Sequence, residues 1–213
     1  AVLLLGKETD TQDITGTVLK ECDPSEITEE TAKKCIESFI GEYDQIPPMY
    51  SALKVNGKKL YELAREGKVV ERKSRKVQIY DIRIKEMKLP RIRMEVSCSK
   101  GTYIRTLCND VGEVLGVGGC MESLLRTKVS RFELKDSMKL ADIEKAKNEG
   151  RTEEIILPLD EVFVEYPKII VTGRQAQLAY NGNPFPKESA KNLILPGKDG
   201  GEDDLSDIFS RYK

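Results

Sequence analysis

Tyr103 and Arg105 stand two residues apart in SKGTYIRTLCNDVGEVLG, where Ile104, Cys108, Val111 and Leu115 recur at helical spacing. An arginine in the first turn of a helix faces the positive end of the macrodipole, so it needs an anion nearby. Two sources compete. A surface carboxylate such as Asp110 or Glu113 would make the pair purely structural. A carboxylate or phosphate met at a binding site would make it functional, with the adjacent tyrosine as a stacking face for an unstacked base.

The same chemistry recurs over a longer stretch. Residues 50–105 hold 16 basic and 6 acidic side chains together with Tyr50, Tyr61, Tyr80 and Tyr103, whereas residues 1–49 hold 4 basic and 11 acidic ones. The whole chain of 213 residues sums to a net charge of −1, which conceals this asymmetry. Cations interleaved with aromatics suit phosphates and bases, which makes nucleic acid the leading partner class; a solvated surface is the plain alternative.

Other chemistries are excluded or explained locally. The chain has no histidine and no tryptophan, so a His base, a Ser-His-Asp relay or a His-ligated metal cannot be built from these residues. Five cysteines, odd in number, widely spaced and without C-x-x-C, argue against a disulfide framework or zinc site and predict reduced thiols in a cytoplasmic protein. Asp10 and Asp13 lie in TDTQDITG, a composition that predicts turn chemistry and not metal ligation. No apolar run approaches the ~20 residues of a membrane helix. AVLLLGKETD lacks the marks of a signal peptide and is expected to be a strand entered part-way, and the chain a fragment.

The elements that must position these residues follow from pattern. A strand over 2–5, a turn at Gly16 and a returning strand at TVL open the chain. Thr28 predicts a helix cap, with Ala32, Cys35, Ile36 and Phe39 on its inner face. Pro47 and Pro48 forbid helix, and Asn56-Gly57 is a hairpin signal followed by a short helix over 58–66, with Leu60, Leu63 and Ala64 inward. Strands are expected over 77–84, broken at Tyr80-Asp81, and over 91–98, where Ile92, Met94, Val96 and Cys98 alternate with polar residues. Thr102 is the expected cap of the helix carrying Arg105. After the glycine-rich LGVGG, a helix is expected over 121–126, then a strand at KVSRFEL and a helix over 139–149; from Pro167 the composition changes, with KIIV ahead of a helix near 174–180.

PPMYSALKVNGKKLYELAREG, VERKSRKVQIYDI, CSKGTYIRTL and LGVGGCMESLLRTKVSRF resemble, in order and spacing, the TruB family of tRNA pseudouridine synthases. The likeness covers most of residues 1–163. Residues 167–213 resemble the start of the PUA RNA-binding domain, with NGNPF as the mark. CSKG resembles the bacterial form; relatives that work in guide-RNA particles carry an acidic variant there.

The resemblance implies an α+β fold: a mixed, mostly antiparallel sheet with flanking helices, followed by an incomplete PUA-like β domain. It implies isomerisation of uridine 55 in the tRNA T loop by a carboxylate nucleophile, without metal or cofactor, in a monomer whose partner is the T arm. Tyr103 resembles the tyrosine that contacts the target base, Arg105 the arginine that pairs with the nucleophile, Leu124 an apolar wall of the base pocket and Arg126 a backbone contact. Residues 45–76 resemble the thumb that holds the T arm, with Lys54, Lys58, Lys59 and Arg65 meeting phosphates. The family's G-x-L-D-x-x-A-x-G motif, whose Asp is the nucleophile, does not occur in these 213 residues. Asp10, Asp13 and Asp110 do not match it, so the chain alone is expected to be inactive. The rival expectations are a non-catalytic RNA-binding or RNA-folding module and a guide-RNA-dependent relative.

Overall fold

The computed structural model describes residues 1–164, 166, 168–184 and 193–194. The chain divides into two compact units, Ala1–Lys135 and Asp136–Lys213. In the first, the opening apolar run forms β1 (Val2–Leu5), with Leu3, Leu4 and Leu5 buried. The Asp- and Thr-rich stretch turns β2 (Lys7–Thr9) back into β3 (Val18–Glu21). Asp13 Oδ1 accepts from the Thr15 N–H (3.1 Å) and hydroxyl (2.7 Å), and Asp10 Oδ1 accepts from the Thr17 N–H (2.8 Å). Both aspartates close turns, as their setting predicts.

Helix α1 (Glu29–Glu37) starts where its cap predicts: Thr28 Oγ1 accepts the Thr31 N–H at 3.2 Å, with Glu29 and Glu30 at the positive end of the dipole. Then come β4 (Gly41–Gln45), β5 (Lys54–Val55), β6 (Lys58–Lys59), α2 (Leu60–Arg65), β7 (Arg75–Lys88), β8 (Arg91–Cys98), α3 (Ile104–Val114), β9 (Gly119–Ser123), β10 (Lys128–Val129) and β11 (Phe132–Glu133).

Five strands form the main sheet in the order β4-β7-β8-β1-β9, every neighbouring pair antiparallel. A single parallel bridge joins Asp13 to Met121. The expected break at Tyr80-Asp81 is a register shift between Ile79 and Asp81 inside a continuous β7. Period-two alternation in β8 buries Ile92 and Met94 and leaves Arg91, Arg93 and Glu95 in water. Ala32, Cys35 and Ile36 of α1 and Leu107, Cys108 and Val111 of α3 meet that apolar face. Full burial contributes about 1.5–3 kcal/mol for each large apolar side chain, which is what holds two short helices on one side of the sheet. Because β8 and β9 both run antiparallel to β1, their C-terminal ends lie at the same end of the sheet.

Three local expectations fail. KVSRFEL is not one strand: Ser130, at φ 52°, turns β10 back into β11 as an antiparallel hairpin. The stretch 121–126 is not a helix: residues 119–123 form β9, an edge strand beside β1. Glycine permits the reason, since a Cβ on Gly112 of α3 would lie 2.1 Å from the Gly119 N. Helix and strand touch through their backbones there, and burial of Cys120 and Met121 outweighs helix propensity. Nor does Thr102 cap α3. Its hydroxyl donates to the Ser99 carbonyl (2.9 Å), closing the turn after β8, and Tyr103 takes the cap position.

In the second unit α4 (Leu140–Asn148), α5 (Leu159–Val162), β12 (Lys168–Ile169), α6 (Gly173–Tyr180) and β13 (Leu193–Ile194) are described, with β12 and β13 antiparallel. The boundary expected between a domain ending at 163 and one starting at 167 falls within this unit. Most of 185–213, including the Phe of NGNPF, lies outside the described residues. Among the described residues no helix is long and apolar enough to cross a membrane.

Candidate active site

Tyr103 is the residue where β-type backbone gives way to α3 (φ −96°, ψ 107°), and its own side chain caps nothing. The orphan N–H of this junction is met from another element. Gln45, the last residue of β4 and only 1% exposed, accepts the Tyr103 N–H through Oε1 at 2.8 Å and donates through Nε2 to the Tyr103 carbonyl at 3.0 Å. Nε2 also donates to the Tyr43 hydroxyl. Burial, with Asp110 nearby, pushes the Tyr43 phenol above its usual range, so it stays neutral.

Arg105 follows in the first turn, half-buried. Its guanidinium lies 6.0 Å from the Tyr103 ring centroid, and Nη2 donates to the Tyr50 carbonyl at 2.5 Å. The structural alternative raised for this arginine is therefore not realised: no ion pair among the described residues joins it to Asp110 or Glu113. Asp110 instead sits partly buried on α3, where desolvation raises its carboxyl to about 6. Among the described residues no group of three or more His, Cys, Asp or Glu side chains is placed to hold a metal ion.

A loop braces the other flank of α3. Gln12, at φ +60°, accepts the Thr106 hydroxyl through Oε1 (2.7 Å), and its carbonyl accepts the Met121 N–H (3.0 Å). Thr106 is 1% exposed, so this bond satisfies a buried hydroxyl at the helix start.

Gln45 and Arg75 are paired across β4 and β7, so residues 46–74 leave the sheet and return to it at one point. Within them β5 and β6 form a hairpin through Asn56 (φ 51°) and Gly57 (φ 82°), the backbone that an Asn-Gly turn favours. Glu62 Oε2 accepts the Lys59 N–H at 3.1 Å, so α2 starts at Leu60, two residues later than its pattern predicts. Met49, Leu60 and Leu63 make a small core separate from the main one. Lys54, Lys58 and Arg65 are exposed; Lys59 is half-exposed. Lys59 Nζ and the Arg65 guanidinium sit 5.4 and 5.3 Å from the Tyr61 ring centroid, and Lys58 lies 4.0 Å from Glu66. Tyr50, at the base, donates to Asp10 Oδ2 at 3.4 Å.

Leu124 and Arg126 follow β9 and are exposed, Leu124 by 48%. Topology puts them at the same end of the sheet as the start of α3. Among the described residues neither shares a hydrogen bond, ion pair or ring contact with Tyr103, Arg105 or Gln45. Sequence reasoning missed Gln45 and Gln12, because an amide carries no periodicity and its partners lie far along the chain. The one available signal was a polar residue just before Ile46-Pro47-Pro48, where the chain leaves a strand.

Residues 1–104 match the family model of the TruB family pseudouridylate synthase N-terminal domain, and residues 105–164 that of the tRNA pseudouridylate synthase B C-terminal domain. A tRNA pseudouridine synthase B of Lachnoclostridium phytofermentans is 49% identical over 162 residues, covering 72% of this chain and 53% of that protein. The protein of the same name from Alkaliphilus oremlandii is 47% identical over 183 residues (86% and 60%), and that of Clostridium kluyveri 42% over 198 (93% and 67%). The chain thus spans between about half and two thirds of the length of these relatives. A crystal structure of a Cbf5-Nop10-Gar1 complex shares the fold, with a TM-score of 0.59 and 23% identity over 86% of this chain and 47% of the matched one. The two matched family models and the extent of identity with these relatives agree: the chain belongs to the TruB family of pseudouridylate synthases.

Proposed function

We propose that the whole protein converts uridine to pseudouridine at position 55 in the T loop of tRNA. In this reaction the bond from N1 of the base to the ribose breaks, the base turns, and C5 bonds to the same ribose carbon. The C5 proton leaves and N1 gains one, so nothing is oxidised or reduced. The observation that carries the reading is Arg105: a half-buried guanidinium beside Tyr103, bonded to a neutral main-chain carbonyl and to no carboxylate among the described residues. A nucleophilic carboxylate beside it would stay ionised and would offset the unfavourable macrodipole.

In this reading Tyr103 stacks on or edges the extruded uracil, Leu124 packs on it and Arg126 meets the RNA backbone. Lys54, Lys58, Lys59 and Arg65 on the projection 46–74 meet T-arm phosphates. Extrusion costs a few kcal/mol, which stacking and burial offset.

The test is tritium release from tRNA labelled at C5 of uridine 55. The whole protein, nucleophile motif included, is expected to release it, and residues 1–213 alone to release none. Release by the chain alone would refute placing the nucleophile in that motif. A whole protein that binds tRNA but releases nothing would make it an RNA-binding module, and release only with an added guide RNA would assign it to the guide-dependent class.

A further inference from the structure

Gln45 makes no hydrogen bond to the Tyr103 or Arg105 side chain, yet it grips the backbone of Tyr103 on both sides. All the polar groups of its carboxamide are used: one acceptor on the Tyr103 N–H, one donor on the Tyr103 carbonyl, one donor on Tyr43. At 1% exposure it cannot exchange these partners for water. The Tyr103 carbonyl also accepts the Leu107 N–H at 3.0 Å, so Gln45 holds both peptide groups that flank the Tyr103 Cα, the second of which starts α3. From the same short segment, Tyr50 holds Arg105 through its carbonyl. The root of the projection therefore grips the helix start at two points 5 residues apart in sequence.

We propose that Gln45 is a positioning residue for the isomerisation, registering Tyr103 and Arg105 against the RNA held by residues 46–74. The inference rests on the functional reading above. A shift of order 1 Å at a reacting centre can cost on the order of 100-fold in rate, so the clamp is expected to act on turnover and to leave RNA affinity nearly unchanged.

Two variants separate positioning from mere stability. Gln45→Leu keeps the size of the side chain and removes every bond. Gln45→Glu, when protonated, presents one donor and one acceptor to Tyr103 as the amide does; when ionised it sets a negative oxygen against the Tyr103 carbonyl. The ionisable groups around the position are Tyr43 and Tyr103, Arg75 paired with it across β7, and Arg105 beside the Tyr103 ring, with Asp110, Cys108 and Cys98 acting through Tyr43.

Single-turnover rates and T-arm dissociation constants are measured for the whole protein between about pH 5.5 and 8, each variant as a ratio to the unsubstituted protein. Gln45→Leu is expected to be about 100-fold slower at every pH, with binding within about twofold. Gln45→Glu is expected to approach the unsubstituted rate at the acid end and to fall about tenfold or more towards pH 8. A flat ratio for Gln45→Glu, or equal losses in rate and binding, would overturn the inference. If the unsubstituted protein binds tRNA without turnover, the functional reading falls instead. The clamp itself is then read by hydrogen exchange of the Tyr103 amide in residues 1–213, expected to be at least about tenfold faster in Gln45→Glu at pH 8 than at pH 5.5 after correction for intrinsic rates. Equal protection at both would overturn the clamp.

Discussion

Arg105 and Tyr50, 55 residues apart, are joined by a hydrogen bond of 2.5 Å from the guanidinium to the main-chain carbonyl. It ties the first turn of α3 to the base of the projection 46–74, and it uses one of the five guanidinium N–H donors. The planar remainder is the part suited to a carboxylate.

Replacing Arg105 by Lys keeps the charge and loses the two-pronged geometry. In the whole protein, single-turnover isomerisation is expected to fall on the order of 100-fold, with T-arm affinity changed less than about threefold. Losses of equal size in rate and binding would make Arg105 a phosphate contact.

Lys58 and Lys59 belong to the hairpin and not to the pocket, so their contribution to binding should be electrostatic. Replacing both by Ala is expected to flatten the slope of log affinity against log salt by about one to two for a T-arm hairpin. Tyr103→Phe should leave the slope as it is. An unaltered slope in the double variant would reduce the basic block to a solvated surface.

Gly112 and Gly119 bring α3 onto β9 without side chains between them, and a Cβ on Gly112 would lie 2.1 Å from the Gly119 N. Gly112→Ala is expected to destabilise the fold by about 1–3 kcal/mol despite alanine's better helix propensity. Urea unfolding of residues 1–213 measures it, with the exposed Glu113→Ala as control.

Asp110 gives a pH signature of its own. Its folded carboxyl is raised to about 6 from 3.8 by burial, so between those values the folded state holds a proton the unfolded state has lost. Stability is therefore lost as pH rises through that window. Asp110→Asn removes the loss. The variant's advantage in urea midpoint should grow from about pH 4 to about pH 6 and then level off; an advantage independent of pH would place the carboxyl in water.

Much of the fold was legible in the amino-acid order because the forces involved are local. The Thr28 cap, the Asn56-Gly57 turn, the alternation of β8 and the Asp-closed turns each act within a few residues, so spacing alone identifies them. Tyr103 and Arg105 were legible for the same reason, as an aromatic and a misplaced cation at one helix start. What anchors them was not. Gln45 meets Tyr103 across 58 positions, and Arg105 meets Tyr50 across 55. Residues 119–123 carry no strand period; they are a strand because β1 offers an open edge and Gly112 lets α3 lie against their backbone. Hydrogen bonds and close packing between distant segments depend on which surfaces the collapsed chain brings together, and only the tertiary structure decides that.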